Sequence, residues 1–249
     1  MNLNELNELN EKRREVRRLL SPADPADALA SYYALWHDPR RTQIRLHRDA
    51  QGRTDGFMVV AQTGADLFRP LVVLRAPGED AAIELMRGML TPNRPYQVIV
   101  PVTMASAVRR ALTITSSRLT YVYRLDPSRF EPVINVLVRR VDPPGDASSP
   151  GRGNYRFEIE SQGQVMAMSG TNWRSPDFSE VFVYVHPRGR GRGWGRSVVS
   201  ACSNALLEER LRPLYMAEEG NTASQRIAEA LGYVDTGMRD FVGEGQISS

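Results

Sequence analysis

Hydrophobic positions fall into two patterns along this chain: amphipathic stretches with helical spacing, and short extended runs. Residues 3–20 carry leucine and valine at helical spacing among Asn, Glu and Arg, which predicts a helix that lies on the surface or faces a second copy. A further helix is predicted over residues 25–36, because Ser21 and Asp24 offer capping side chains and Pro25 suits a first helical turn.

After residue 42 the chain alternates between strand-like runs and helical patterns in both halves. This alternation predicts an α/β fold with a mixed sheet, divided into an N-terminal domain at 1–130 and a C-terminal domain at 131–249, and it allows two related subdomains. A loop rich in Pro, Gly and Ser is predicted at 142–154. The predicted strands that precede the last one are at residues 43–48, 57–62, 68–76, 96–102, 118–125, 133–141, 155–161, 163–170, 181–185 and 213–219.

The composition is typical of a globular protein, with 41% hydrophobic and 24% charged residues among 249 and a net charge of +3. The sequence has no run of apolar residues long enough to span a membrane and its N-terminus is polar, so we expect a cytoplasmic protein with no membrane partner. The single cysteine, Cys202, falls in an apolar helical stripe and is predicted to be a buried core thiol. The three histidines lack metal-ligand spacing, and we expect no metal.

Residues 178–196 carry the most specific signal in the chain. Val181 opens an apolar run that predicts a strand buried on both faces, and Pro187 ends this run. Glycines then recur at every second position, and helical spacing resumes until Pro213. A buried strand, a glycine-rich loop and an amphipathic helix are therefore predicted in succession.

The start of such a helix can bind an anion, because its first amides have no internal partner and the helix dipole is positive there. Arg190, Arg192 and Arg196 add positive charge, and arginine pairs well with phosphate. A P-loop is excluded, since the only lysine is Lys12, and the glycine register misses the dinucleotide-binding fingerprint. The flanking strand and helix favour an ordered phosphate loop over the alternative of a disordered Arg-Gly segment that binds RNA.

The Arg-x-x-Gly-x-Gly sequence at residues 190–195 resembles the pyrophosphate-binding motif of the GCN5-related N-acetyltransferases, the GNAT superfamily, and a similar Val-x-Pro precedes it. Further along the chain, Asn221, Ser224 and residues 227–233 look like the second signature of that family, Asn-x-x-Ser/Ala followed by a helix and Gly-Phe/Tyr. Two motifs in the expected order make the resemblance more specific than either motif alone.

The resemblance implies that acetyl-CoA is the cosubstrate and that its acetyl group is transferred directly to a primary amine of a small molecule, amino acid or peptide. It places the pyrophosphate on the loop amides, the pantetheine along the preceding strand and beside Asn221, and the thioester carbonyl near strand amides. The cofactor-binding residues that it implies are Val183, Tyr184, Val185, Arg190, Gly191, Arg192, Gly193, Trp194, Gly195, Arg196, Asn221 and Ser224.

The resemblance also suggests Glu180 as a catalytic base that acts through water. This sequence departs from the family at the usual tyrosine acid, where it has Ala228, and Tyr233, Tyr215 and Tyr184 have no good claim to replace that acid. It also lacks the two helices that usually follow the first strand and shape the substrate site, so we expect the N-terminal half to supply that wall. The alternation of strands and helices allows this half to be a degenerate GNAT-like subdomain, which would make the chain a tandem of two GNAT-like folds.

The predicted function is therefore that of an acetyl-CoA-dependent N-acetyltransferase. Two alternatives stay open: a catalytically weak acyl-CoA-binding sensor, and an RNA-binding protein that uses the Arg-Gly segment. The expected partner is an amine substrate rather than nucleic acid, and a homodimer stays open as well.

Overall fold

The computed structural model describes residues 2–63, 66, 68–142 and 155–247. The chain divides into two compact units, the first made of Met1–Thr120 with Met238–Ser249 and the second of Tyr121–Gly237. The domain boundary predicted between residues 130 and 131 stays a prediction, because compactness alone does not show that either part of the chain folds independently. Nearly all of the predicted loop at 142–154 lies outside the described residues.

The first unit begins with two helices and continues as alternating strands and helices. Asn2 starts the first helix with a capping box, and Asp24 caps the second, as its capping pattern predicted. The helices are α1 (Leu3–Arg17), α2 (Pro25–Ser31), α3 (Glu79–Met89) and α4 (Ala105–Ala111), with a π-helical turn at Tyr32–Trp36 and short 3₁₀ turns at Pro39–Arg41 and Val102–Met104. The strands that begin in this unit are β1 (Thr42–Arg48), β2 (Thr54–Ala61), β3 (Leu71–Arg75), β4 (Tyr96–Pro101) and β5 (Thr113–Leu125).

The second unit holds the remaining elements. Its helices are α5 (Trp194–Glu208) and α6 (Thr222–Ala230), with a 3₁₀ turn at Pro187–Gly189. Its strands are β6 (Arg139–Val141), β7 (Arg156–Ser161), β8 (Gln164–Arg174), β9 (Phe178–Val185), β10 (Arg212–Glu218) and the start of β11 (Tyr233–Gln246). Of the helices in the described ranges, none combines the length and the apolar character needed to cross a membrane.

Both units contain a mixed sheet that includes a parallel pair. In the first unit the strand order is β1-β2-β3-β4-β11-β5, and β3 with β4 is the parallel pair. In the second unit the order is β11-β5-β10-β9-β8-β7-β6, and β9 with β10 is the parallel pair. Strands β5 and β11 contribute different residues to each unit, since the division falls within both of them.

From β1 in the first unit and from β7 in the second, the two units repeat one order of elements: three antiparallel strands, a helix, a parallel strand, a second helix and a last strand. In the first unit the apolar core lies between the sheet and helices α3 and α4. In the second it lies between the sheet and helices α5 and α6. The predicted α/β fold with a mixed sheet flanked by helices is confirmed.

The predicted strand over residues 133–141 is wrong for most of its length, because only Arg139–Val141 is extended in a sheet. The preceding residues lie against α5 instead. The Ser200 hydroxyl accepts a hydrogen bond from the Val133 amide (2.8 Å), and the Ser197 hydroxyl accepts one from the Asn135 amide (3.0 Å). Serine hydroxyls thus replace a neighbouring strand, and side chains such as Val136, which is 97% exposed, face outward.

Candidate functional site

The parallel strands β9 and β10 separate part-way along their length. They pair from Phe178 opposite Arg212 to Val181 opposite Tyr215, and their mutual pairing stops there. Strand β9 continues to Val185 and β10 continues to Glu218. Beyond this point the backbone N–H and C=O groups on the facing edges of β9 and β10 no longer bond to each other. An extended ligand can therefore pair with these edges as an additional strand.

This separation corrects the prediction that the β9 strand is buried on both faces. Its first residues are buried, but Val183 and Val185 are half-buried and Tyr184 is 43% exposed. The reason is that the strand loses its neighbour on one side beyond Val181. Val183 and Val185 pack toward α5, so Tyr184 points to the opposite face of the sheet.

A glycine allows the start of α5 to approach the open half of β9. A Cβ at Gly195 would lie 2.8 Å from the Val185 side chain and 3.1 Å from that of Ile227. Because both contacts are tighter than a Cβ normally makes, only glycine fits without movement of its neighbours. Gly195 therefore brings together the end of β9, the start of α5 and helix α6.

The glycine-rich loop forms an ordered turn. The His186 ring accepts a hydrogen bond from the Arg188 amide (3.2 Å), and a 3₁₀ turn follows. Gly191 (φ 76°) and Gly193 (φ 72°) adopt the left-handed conformation that favours glycine, and a Cβ on either would meet no atom within 4 Å. Gly193 is the N-cap residue of α5, directly before its first residue Trp194.

The amides of residues 191–196 point to a binding role for this turn. In the described part of the chain, the first amide of α5 with a backbone acceptor is that of Ser197, which donates to the Gly193 carbonyl (3.1 Å). The amides of residues 191–196 have no acceptor among the described residues. Unpaired amides, a helix N-terminus and open space above two glycines are suited to bind phosphate.

Four arginines surround this helix start. All are exposed, and within the described ranges none has a carboxylate within ion-pair distance. The Arg192 guanidinium lies over the Trp194 ring, 5.0 Å from its centroid, which positions one of the charges beside the helix start. The four residues are Arg188, Arg190, Arg192 and Arg196. The residues present therefore fit a diphosphate in both charge and hydrogen-bond donors.

The second motif lies at the start of α6, just after the open half of β10. Asn221 is exposed and caps the helix by accepting a hydrogen bond from the Ser224 amide (3.1 Å). The Ser224 hydroxyl shares a hydrogen bond with the Tyr215 hydroxyl (2.9 Å), which ties the helix to β10. Gly232 follows α6 with φ 83°, the left-handed conformation in which glycine commonly ends a helix. The capping geometry leaves the predicted ligand role of Asn221 and Ser224 as a prediction.

Glu180 lies on β9 directly before Val181, the last residue that pairs with β10. Both of its carboxylate oxygens accept hydrogen bonds, from Asn172 Nδ2 (2.7 Å) and from Trp173 Nε1 (2.5 Å). An irregularity in the pairing of β8 with β9 inserts Asn172 between Thr171 and Trp173. Such a bulge can redirect side chains, and here two consecutive residues reach one carboxylate. Sequence reasoning missed both donors, because the predicted strand over residues 163–170 ends before them.

The tyrosines considered as catalytic acids lie in different environments. Tyr233 is buried and shares a hydrogen bond with the Ser203 hydroxyl (2.7 Å), and burial raises its pKa far above the usual value. Burial likewise raises the pKa of Tyr215. Ala228 is fully enclosed in the core of the second unit. Of the three tyrosines, Tyr184 alone lies on the open half of β9.

Cys202 is buried in the same core, as predicted, and burial raises its pKa to about 12. A thiol in that state is a poor nucleophile, because the reactive form is the thiolate. Acyl transfer through this cysteine is therefore not supported.

Comparison with known proteins identifies the fold. Residues 161–242 match the family model described as FR47-like protein. Among solved structures, a GCN5-related N-acetyltransferase from Kribbella flavida is similar with a TM-score of 0.62 and 17% identity, over 90% of this chain and 96% of that one. The chain has the GNAT fold.

Two further GNAT structures support this assignment. A GCN5-related N-acetyltransferase-like protein from Streptococcus suis has a TM-score of 0.60 and 15% identity, over 94% of this chain and 99% of that one. A tandem GNAT protein from the clavulanic acid biosynthesis pathway has a TM-score of 0.57 and 14% identity, over 97% and 94%. No curated protein sequence matches this chain.

The predicted resemblance to the GNAT superfamily is confirmed, and the tandem neighbour agrees with the repeated order of elements in the two units. The family match over residues 161–242 and the GNAT fold agree with the prediction of a GNAT-type acyltransferase.

Proposed function

We propose that this chain transfers the acetyl group of acetyl-CoA to a primary amine of a small molecule, amino acid or peptide by direct attack. The observation that carries the proposal is the separation of β9 from β10 immediately before a helix start with unpaired amides. A pantetheine arm would extend the sheet in the opening, and a diphosphate would bind the amides of residues 191–196 and the neighbouring arginines. Asn221 and Ser224, beside the open half of β10, would border the same arm.

Bound acetyl-CoA would supply an acetyl group activated as a thioester. Backbone amides on the open edge of β9 are the donors available to the thioester carbonyl as negative charge develops on its oxygen. As the carbon–nitrogen bond forms and the carbon–sulfur bond breaks, the proton of the amine would pass through water to Glu180. A thiolate is a good leaving group and can depart without being protonated. The reaction can therefore proceed although the position of the family's usual acid is occupied by the buried Ala228.

The environment of Glu180 supports the role of a base held in one position. Its two donors fix the carboxylate at the point where the strands separate. Asn172 and Trp173 would then be positioning residues, since they act on the reaction through Glu180.

Two measurements test the proposed function. Calorimetric titration should show acetyl-CoA binding, and an assay of released CoA thiol should show turnover with at least one member of a panel of primary amines. Absence of acetyl-CoA binding would refute the proposal. Thiol release from acetyl-CoA that does not depend on any amine would refute transfer to an amine.

One observation favours a second candidate, a catalytically weak acyl-CoA-binding sensor. The usual acid position is occupied by Ala228, and it is fully buried, so no side chain from this position reaches the opening. Acetyl-CoA binding without turnover on any amine would support the sensor. RNA binding without acetyl-CoA binding would instead support the Arg-Gly segment as an RNA site, although its ordered turn favours the phosphate loop. A cytoplasmic location stays a prediction.

A further inference from the structure

The first unit repeats the separation of parallel strands, but without the anion site. Its strands β3 and β4 pair from Leu71 opposite Gln97 to Val73 opposite Ile99, and both continue beyond that point. Only residues 76–78 connect β3 to α3, whereas residues 186–193 connect β9 to α5. The first turn of α3 is acidic, so the corresponding helix start would repel a diphosphate.

A buried carboxylate lies one strand away, next to the end of β4. Asp240 on β11 is paired with Pro101, the last residue of β4, and is 8% exposed. It has no hydrogen-bond donor and no ion-pair partner within 4 Å among the described residues. Among the described residues, Ser31 Oγ is the only fully enclosed side-chain oxygen or nitrogen without a hydrogen-bond partner. Because Asp240 also lacks a partner but is not in this group, its carboxylate keeps some contact with solvent. It is therefore a mostly buried acceptor that lacks a donor among the described residues.

The nearby cation does not satisfy this carboxylate. Arg75, at the end of β3, acts on Asp240 only through space. Its guanidinium is engaged by Asp27 of α2 (3.3 Å), by the Leu74 carbonyl (3.1 Å) and by the Ala26 carbonyl. Asp27 and Arg75 neutralise each other, so the group of three charges is negative overall when Asp240 is ionised. Burial raises the pKa of Asp240 to about 6, which leaves it mostly ionised at pH 8.

Side-chain orientation places these groups on one face of the first unit. Phe241 and Leu74 pack in the core with α3 and α4, so the adjacent residues Asp240 and Arg75 point to the other face, where α2 lies. Ser31, the residue with the unpartnered hydroxyl, follows Asp27 by one turn of α2 and therefore lies on the same side of that helix. This layer thus contains two polar side chains without partners.

We propose that the first unit binds a small primary amine here, with the Asp240 carboxylate accepting hydrogen bonds from the ammonium group. A single carboxylate with an engaged arginine beside it is a poor metal site, and no cluster of metal-ligating side chains occurs in the described residues. A primary ammonium supplies both a positive charge and the hydrogen-bond donors that Asp240 lacks. This ligand site is additional to the proposed acetyl-CoA site and does not depend on it.

Titration of the full-length protein with n-butylamine, in the absence of CoA and in an amine-free buffer, tests the proposal. We expect binding at pH 8 and its loss at pH 5, where Asp240 is mostly protonated while the amine stays charged. Asp240→Asn should weaken binding roughly tenfold or more. Asp80→Asn, which alters an almost fully exposed carboxylate in the first turn of α3, is the matched control and should bind like the wild type.

Tetramethylammonium, which carries the charge but no donor, should not bind. No binding of n-butylamine by the wild type at pH 8 would overturn the proposal, and so would equal affinity in Asp240→Asn. Equal binding of tetramethylammonium would overturn it too, because charge alone would then suffice. If Asp240→Asn does not fold, the comparison of wild type at pH 8 and pH 5 decides: equal affinity at both overturns the proposal.

Discussion

Substitution of Gly193 by Asp and by Asn tests the phosphate loop with two variants of one shape. Gly193 has φ 72°, and a Cβ there would meet no atom within 4 Å. Asp and Asn are the side chains that best tolerate this backbone region, so both variants should fold with a similar cost of about 1 kcal/mol in the free energy of unfolding. The difference between them is one negative charge at the start of α5.

The size of the effect follows from Coulomb's law. A carboxylate at roughly 5 Å from one phosphate charge, at an effective dielectric constant of about 20, opposes binding by roughly 3 kcal/mol. The Kd for acetyl-CoA should therefore be about a hundredfold higher in Gly193→Asp than in Gly193→Asn. Added salt should narrow this difference, because the site is exposed to solvent.

The assay is calorimetric titration of both variants with acetyl-CoA at equal ionic strength, after their thermal unfolding midpoints have been compared. Equal Kd values in two folded variants would refute the assignment of the diphosphate to this loop. Loss of binding in both variants with unchanged folding would show that shape rather than charge limits the site.

Three further predictions concern separate parts of the chain. Asp240→Asn should raise the free energy of unfolding by about 3 kcal/mol at pH 8 and by almost nothing at pH 4. Because burial raises the pKa of the folded-state carboxyl to about 6, ionisation of Asp240 destabilises the wild-type protein as the pH rises above the unfolded-state pKa. The amide of Asn cannot ionise, so the variant avoids this loss. Gly195→Val should lower the thermal midpoint and weaken acetyl-CoA binding, because its side chain would displace Val185. Glu180→Gln should lower kcat roughly a hundredfold with little change in the KM for acetyl-CoA, and Asn172→Ala should lower kcat less, with recovery in Asn172→Gln.

Each of these predictions has a contradicting outcome. The Asp240→Asn prediction is checked by urea unfolding at pH 8 and pH 4, and it is wrong if the gain in the free energy of unfolding is the same at both. Gly195→Ala is the milder companion to Gly195→Val, and the packing argument is wrong if both variants bind acetyl-CoA like the wild type. An unchanged kcat in Glu180→Gln would exclude Glu180 as the base while leaving the acetyl-CoA site intact.

Local chemistry made much of the second unit predictable. The glycine-rich loop before α5 and the second motif at the start of α6 each depend on a few neighbouring residues, and the structure has an ordered turn at the first and a capped helix start at the second. The β-branched run before Pro187 also predicts strand β9, which ends at Val185. Such features depend little on distant parts of the chain.

Features set by distant residues could not be predicted. The run at 133–138 has the composition of a strand, but hydroxyls of Ser197 and Ser200 take up its backbone donors. The open half of β9 depends on where β10 ceases to pair with it. The donors to Glu180 depend on a bulge in β8, which no residue pattern indicated. The sequence did not indicate Asp240 as a buried carboxylate, because its burial comes from tertiary packing.

Backbone amide chemical shifts during titration with acetyl-CoA test the central claim most directly. The amides of residues 191–196 and of residues 182–185 on the open half of β9 should shift in a saturable manner, while those of the first-unit strands β3 and β4 should not. Saturable binding that leaves the amides of residues 191–196 unchanged would contradict the assignment of the cosubstrate to this opening.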